Sequence, residues 1–421
     1  MRILIVSAQL PYPPRSGFAV RVYQLARRLS ESHEVTLLSY ARAKDREAAA
    51  ELARELPVRT VEHAPPTGGG KRARQLRSLL DSRPYCCQAA YSRAMEREIH
   101  ELCAHGDVDA VQLESSYLCA LAVPASVKLV LDEHNIEYEV FRRMFRGERS
   151  LPRRAFNQLE HVRFRRYERA WWRRADGCLV TSERERQIVS EHAPDTPVAV
   201  VPNGVDLNYF RARPPTRPTQ TVLFNGTLDY RPNVDGAQYL IERVWPLVRS
   251  RCPAARLLVV GRADPATTRR LSRPGVEVVG EVPDVRPYLE RAMVVAVPVR
   301  IGGGTRLKVL EALAMGKAIV STTLGCEGIA VRDGEHLLLA DDTSSFAERV
   351  VQLLERGRDS AALGRAGREL IERRYSWELA AERAEALYAQ LEQGVAAAST
   401  RLCWRTTAKS ELSMLADRAC D

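Results

Sequence analysis

The stretch IGGGTRLKVLEALAMGKAIVST, Ile301 to Thr322, sets Gly302, Gly303 and Gly304 ahead of two cations, Arg306 and Lys308, with Glu311 one turn further on. Glycines without a Cβ let a backbone approach a ligand closely. Thr305 is the kind of residue that caps a helix, which would leave the N–H groups of the first turn open to an anion. Arg306 and Lys308 would then stand in that turn, where the helix dipole disfavours positive charge unless an anion shares the place. Lys308 and Glu311 are three apart and share a face. Cations and N–H groups suit a diphosphate, and the carboxylate suits vicinal ribose hydroxyls, which together describe a nucleotide sugar. The plainer alternative is a loop before a core helix, with Lys308 and Glu311 as a surface ion pair.

The elements that must position these residues are short β-rich runs alternating with helical patterns. RILIVS, EVTLLSY, PVRTVE, DAVQLE, KLVLDE, CLVTS and VAVVP form a first series, and TVLFNG, RLLVVG, VEVVG, VVAVP, AIVST and HLLLA a second. Such alternation predicts an α/β fold of parallel sheets wrapped by helices, with ligands at the carboxyl ends of the strands. The glycine-rich loop follows VVAVP at such an end. The proline-rich segment Arg211 to Gln220 joins the series, and amphipathic patterns predict final helices over Ser344–Glu355 and Trp377–Gln393. The expected division is residues 1–205, residues 206–375, a helix over 376–393 packing back on the first domain, and a weakly ordered tail over 394–421.

At 421 residues and 45% hydrophobic content, two cores are affordable. The net charge of +10 suits anionic partners without choosing among them. Nine cysteines without a CxxC pair suggest neither a zinc site nor a disulfide framework. No apolar run reaches membrane-span length and Met1 to Val6 enters a strand directly, so the expected location is cytoplasmic. SAQLPYPPRSG after the first strand lacks GxGxxG, which argues against a dinucleotide-dependent reductase.

In the order and spacing of its motifs the chain resembles the retaining family 4 glycosyltransferases of the GT-B superfamily, over roughly residues 1 to 393. The matching runs are MRILIVSAQLPYPPRSGFAVRVYQLARRLS, DEHNIEYEVFRRM, TSERE, VVPNGVD, FNGTLDYRPNVDG, GEVPDVRPYL and GGGTRLKVLEALAMGKAIVST. The resemblance implies two facing, doubly wound Rossmann-like domains with an interdomain cleft. It implies that Glu311 is the second glutamate of the family's pair and holds the donor ribose, whereas Gly303 stands where the first would be. Thr227 and Asn233 occupy the places of the family's usual Arg and Lys, so Arg306 and Lys308 are expected to replace them at the diphosphate. His134, after KLVLDE, takes the place of a histidine near the transferred sugar. Gly17, Gly226, Thr227, Arg262, Glu281, Val282, Arg300, Gly303, Gly304 and Thr305 are the implied donor-binding positions, with Glu281 and Val282 beside the base.

The function implied is transfer of a hexose from a UDP- or GDP-sugar to a glycan or lipid-linked acceptor, in cell-surface or exopolysaccharide synthesis. No metal and no further cofactor is expected, since N–H dipoles and two cations could stabilise the departing diphosphate. A non-catalytic sugar-nucleotide-binding scaffold and a sugar-nucleotide 2-epimerase are the alternatives. Arg142 to Gly177 holds twelve arginines with Trp171, Trp172, Phe156 and Phe164 among them. This composition suits a solvated basic face, or peripheral contact of Arg142 to Arg174 with an anionic membrane at the inner face of the plasma membrane. No nucleic-acid-binding module accompanies it.

Overall fold

The computed structural model describes residues 1–63, 74, 75, 78, 81–104, 106–211 and 220–393. The chain divides into one unit of Met1–Val201 with Ala380–Asp421, and a second of Pro202–Leu379. The tail over 394–421 and the linker residues 212–219 lie outside the described residues.

In the first unit the described strands are β1 (Arg2–Ser7), β2 (Glu34–Ala41), β3 (Val58–Glu62), β4 (Ala110–Glu114), β5 (Lys128–Glu133), β6 (Gly177–Val180) and β7 (Val198–Val200). They pair in parallel in the order β3-β2-β1-β4-β5-β6-β7. The second unit holds β8 (Thr221–Asn225), β9 (Arg256–Val260), β10 (Val276–Gly280), β11 (Val294–Val297), β12 (Ala318–Ser321) and β13 (Leu338–Leu339). Their order is β10-β9-β8-β11-β12-β13, again parallel. In each sheet the winding reverses once, between β1 and β4 and between β8 and β11. That reversal opens a crevice at the carboxyl ends of the two strands.

Burial on both faces explains why the central strands β1, β8 and β11 are nearly unbroken apolar runs rather than alternating ones. Val222, Phe224, Val259, Ala296 and Val320 pack on one face of the second sheet. Leu223, Leu258, Val295, Val297 and Ile319 pack on the other. Successive side chains thus feed two cores from one strand.

Both final helices form, over Thr343–Glu355 with Asp342 as its cap and over Trp377–Gln393. Between them stands a helix that apolar periodicity did not indicate, Gly357–Arg374. Its buried face is Ser360, Leu363, Gly364, Gly367 and Ile371. Small residues carry that face because a Cβ on Gly364 would come within 2.0 Å of the Gly316 carbonyl oxygen.

The arginine-rich segment forms two helices, Glu137–Gly147 and Leu151–Arg174. Phe164 and Trp172 are fully buried, and the Trp172 indole donates to Glu133 at 2.8 Å. They are core residues, so the expectation that they form an amphipathic surface is corrected. The exposed face carries Arg142, Arg146, Arg149, Arg153, Arg154, Arg165 and Arg166, with Met144, Leu151 and Val162 as its exposed apolar residues. Among the described residues no helix is long and apolar enough to cross a membrane.

Candidate active site

In the second unit several of the expected site positions gather at the reversal between β8 and β11. The loop after β11 runs through Gly302 and Gly304 at φ +100° and +79°, a region that favours glycine. These turns delay the helix, which spans Leu307–Ala314, with Arg306 at its N-cap and no side-chain capping bond. Thr305 is therefore not the cap, a correction to the expectation. Its hydroxyl is buried and has no hydrogen-bond partner among the described residues.

Lys308 turns inward instead of facing solvent. Its Nζ donates to the Asn225 carbonyl at 2.5 Å and to Asn233 Oδ1 at 3.0 Å, and lies 5.0 Å from the centre of the Phe224 ring. The ammonium thus bridges the end of β8 and the helix after β11, across the switch point. Gly226, at φ +155°, makes room for it, because a Cβ there would fall 2.5 Å from the ammonium. Asn233 is fixed in turn by donating to the Thr227 carbonyl at 2.9 Å. Burial, helped by the nearby charge of Arg306, lowers the Lys308 pKa to about 7. Burial also raises that of Glu311 to about 7, against the pull of Lys308. Both groups therefore sit where a bound charge can decide their protonation.

The remaining positions line the same carboxyl edge. The Gly226 N–H donates to the Val260 carbonyl and the Gly261 N–H to Gly280, each at 2.8 Å, so β8, β9 and β10 stay joined past their ends. Arg262 pairs with Asp229 at 2.6 Å, and Glu281 adds to the negative potential at its guanidinium. Arg300 pairs with Asp235 at 2.9 Å and lies 4.3 Å from the centre of the Tyr239 ring. Both cations already hold carboxylates. Val282 is half-buried against the core below, and the Gly303 carbonyl accepts from Arg306 Nη1. Asn225, whose Oδ1 is buried without a partner among the described residues, had no place in the sequence reading. Its signal was an amide ending the apolar run TVLFN.

In the first unit a second cluster forms at the corresponding switch point. Gly17 opens the helix Gly17–Leu29, capped by Ser16, and Phe18 beside it lies 4.8 Å from the His134 ring. His134 Nε2 is 2.8 Å from Glu114 Oε2, at the end of β4. Asp132 is held by Arg21 through bonds of 3.0 and 2.7 Å, and Arg21 also donates to the Val201 carbonyl at 2.8 Å. Glu114 and Arg21 were missed. DAVQLE places a carboxylate at a strand's carboxyl end, which was the available signal for Glu114. Arg21 sits in an amphipathic helix where an arginine reads as surface.

Residues 15–209 match the family model described as Glycosyltransferase Family 4, and residues 219–356 the one described as Glycosyl transferases group 1. An uncharacterized protein of the cps region of Klebsiella pneumoniae is 23% identical over 366 residues, covering 83% of this chain and 90% of that protein. A GDP-mannose-dependent monoacylated alpha-(1-6)-phosphatidylinositol monomannoside mannosyltransferase of Corynebacterium glutamicum is 29% identical over 204 residues. That match covers 44% of this chain and 54% of the mannosyltransferase. The fold is shared with sucrose-phosphate synthase from Thermosynechococcus elongatus at a TM-score of 0.70 and 18% identity, over 94% of this chain and 100% of that one. With one family model on each sheet and the GT-B fold beneath both, the chain belongs to the family 4 glycosyltransferases.

Proposed function

We propose that this glycosyltransferase moves a hexose, with retention of configuration, from a UDP- or GDP-sugar to a glycan or lipid-linked acceptor of cell-surface polysaccharide synthesis. The observation that carries the reading is the inward Lys308, bridging β8 and the helix after β11 beside the glycine backbone of Gly226, Gly302 and Gly304. A diphosphate entering there replaces the carbonyl and amide oxygens around the ammonium with a stronger, charged acceptor. Arg306 adds a second positive charge. Glu311 accepts from the donor ribose, and Glu281 and Val282 flank the base. His134 contacts the transferred sugar. The likeness to the GDP-mannose-dependent mannosyltransferase of Corynebacterium glutamicum supports a hexosyl donor.

In this reading the acceptor hydroxyl attacks the anomeric carbon on the face from which the nucleoside diphosphate departs. A leaving phosphate oxygen takes the hydroxyl proton. The protein's part is to stabilise the departing charge and to align the reactants. With Lys308 and Arg306 supplying positive charge, turnover proceeds without a divalent metal and is unchanged by EDTA.

The test is nucleoside diphosphate release from UDP- and GDP-hexoses with and without a polyprenyl-linked glycan acceptor. Acceptor-dependent release is expected with one base. Lys308→Ala and Glu311→Ala should each lower kcat/KM by about 10- to 100-fold, the worth of a hydrogen bond to a charged group. Normal turnover in both variants would place the donor elsewhere.

A further inference from the structure

Glu114, Asp132 and His134 bring one ligand atom each to within 4.8 Å of one another, a spacing that a metal ion could use. The surrounding bonds indicate another purpose. Arg21 occupies both oxygens of Asp132, so the positive charge that a metal would bring is already present. Glu114 is fully buried and its two oxygens are engaged by two different donors. Gln112 Nε2 donates to Oε1 at 2.5 Å, and His134 Nε2 lies 2.8 Å from Oε2. Gln112 is oriented in turn by Tyr388, whose hydroxyl donates to its Oε1. Tyr388 belongs to the helix Trp377–Gln393 and is itself fully buried.

Every bond in this chain runs in one direction. The tyrosine hydroxyl donates to the amide oxygen and the amide nitrogen donates to Glu114. Burial and the neighbouring Asp132 push the Glu114 pKa up while His134 and Gln112 favour its ionised form, and in that form it can only accept. A neutral imidazole facing that carboxylate must carry its hydrogen on Nε2, because the other tautomer would set two lone pairs against each other. The His134 Nδ1 is then an acceptor, and it makes no hydrogen bond among the described residues.

We propose that Glu114 is a positioning residue that fixes His134 in the Nε2–H tautomer, so that Nδ1 accepts a hydrogen bond from a hydroxyl of the transferred hexose. This rests on the reading of His134 as a sugar contact. The pairing follows the general rule that the bond made by one imidazole nitrogen sets the state of the other. It also gives the site a chemical preference: a position that must donate to Nδ1 accepts a hydroxyl and rejects fluorine, which cannot donate.

Glu114→Gln separates the possibilities with almost no change of shape. Gln112 still needs an acceptor, so the new amide presents its oxygen to Gln112 and its N–H to His134. That forces the imidazole hydrogen onto Nδ1. Long-range 15N NMR of histidine-labelled full-length protein at pH 8 reads the tautomer without any substrate. Nε2–H is expected in the wild type and Nδ1–H in the variant. An Nδ1–H wild type, which needs no variant to be folded, overturns the proposal, as does a tautomer that Glu114→Gln leaves unchanged.

The second measurement is the ratio of kcat/KM for the preferred donor and each of its monodeoxyfluoro analogues. Comparing that ratio between the two proteins cancels the inductive effect of fluorine. At one sugar position the preference for hydroxyl should fall by about tenfold in Glu114→Gln, the worth of roughly one neutral hydrogen bond. If the tautomer inverts while every ratio stays fixed, the reading of His134 as a sugar contact fails instead.

Discussion

Lys308 carries a consequence that reaches beyond its position. Its pKa near 7 in the free protein arises chiefly from burial, and a diphosphate beside it would favour the charged form. Binding above neutrality then requires uptake of a proton. Affinity for UDP or GDP should therefore weaken as pH rises from about 7 toward 9, by at most about tenfold per unit. Calorimetric titrations in two buffers of different ionisation enthalpy check this by counting the protons taken up at pH 8. Lys308→Met should remove the Lys308 share of the uptake along with much of the affinity. A flat profile in the wild type would show that the ammonium does not meet the phosphates. Glu311 is titrating in the same range, so Glu311→Gln is the control that assigns the proton.

At the scale of elements, the helix Gly17–Leu29 is fastened to its sheet by an ion pair rather than by apolar packing alone. Arg21 is 1% exposed and Asp132 is fully buried, and the guanidinium holds both the carboxylate and the Val201 carbonyl. Removing one partner of such a pair leaves a charge buried without compensation. Arg21→Ala is expected to cost about 3–5 kcal/mol, read from the shift of the urea midpoint at constant slope. A loss under about 1 kcal/mol would mean that water reaches Asp132 once the arginine is gone. This helix also shows where reading a sequence stops. Its amphipathic pattern announced a helix after β1, yet nothing in GFAVRVYQLARRL distinguishes the buried arginine from Arg27 and Arg28 a few residues later.

At the scale of the whole molecule, exposed positive charge gathers on the two arginine-rich helices and the turn between them. With Trp172 and Phe164 committed to the core, the exposed residues that this segment would offer to a membrane include Arg142, Arg146, Arg149, Arg153 and Arg154, beside the exposed Met144 and Leu151. A basic surface near anionic lipid gains roughly 1 kcal/mol per cation and loses it to salt. Sedimentation with vesicles of phosphatidylglycerol and phosphatidylcholine should retain the protein at 50 mM salt and release it at 500 mM. The triple variant Arg149→Ala, Arg153→Ala, Arg154→Ala should bind more weakly at both. Equal binding to pure phosphatidylcholine would exclude an electrostatic hold.

The amino-acid order by itself determined the strand series, the fold class and the glycine-rich loop after β11, because apolar runs, glycines and cations announce themselves within a few neighbours along the chain. Lys308 and Glu311 drew attention as candidates in this way, whereas Gly226 came only from the family resemblance. What only tertiary structure decided is which polar groups face one another. Lys308 meets Asn225 and Asn233 over separations of 83 and 75 residues. Tyr388 reaches Gln112 across 276. The inward turn of Lys308, the burial of Trp172 and the partner of His134 follow from where the sheet's winding reverses and what packs above it. Those are properties of strand order, and no local pattern encodes them.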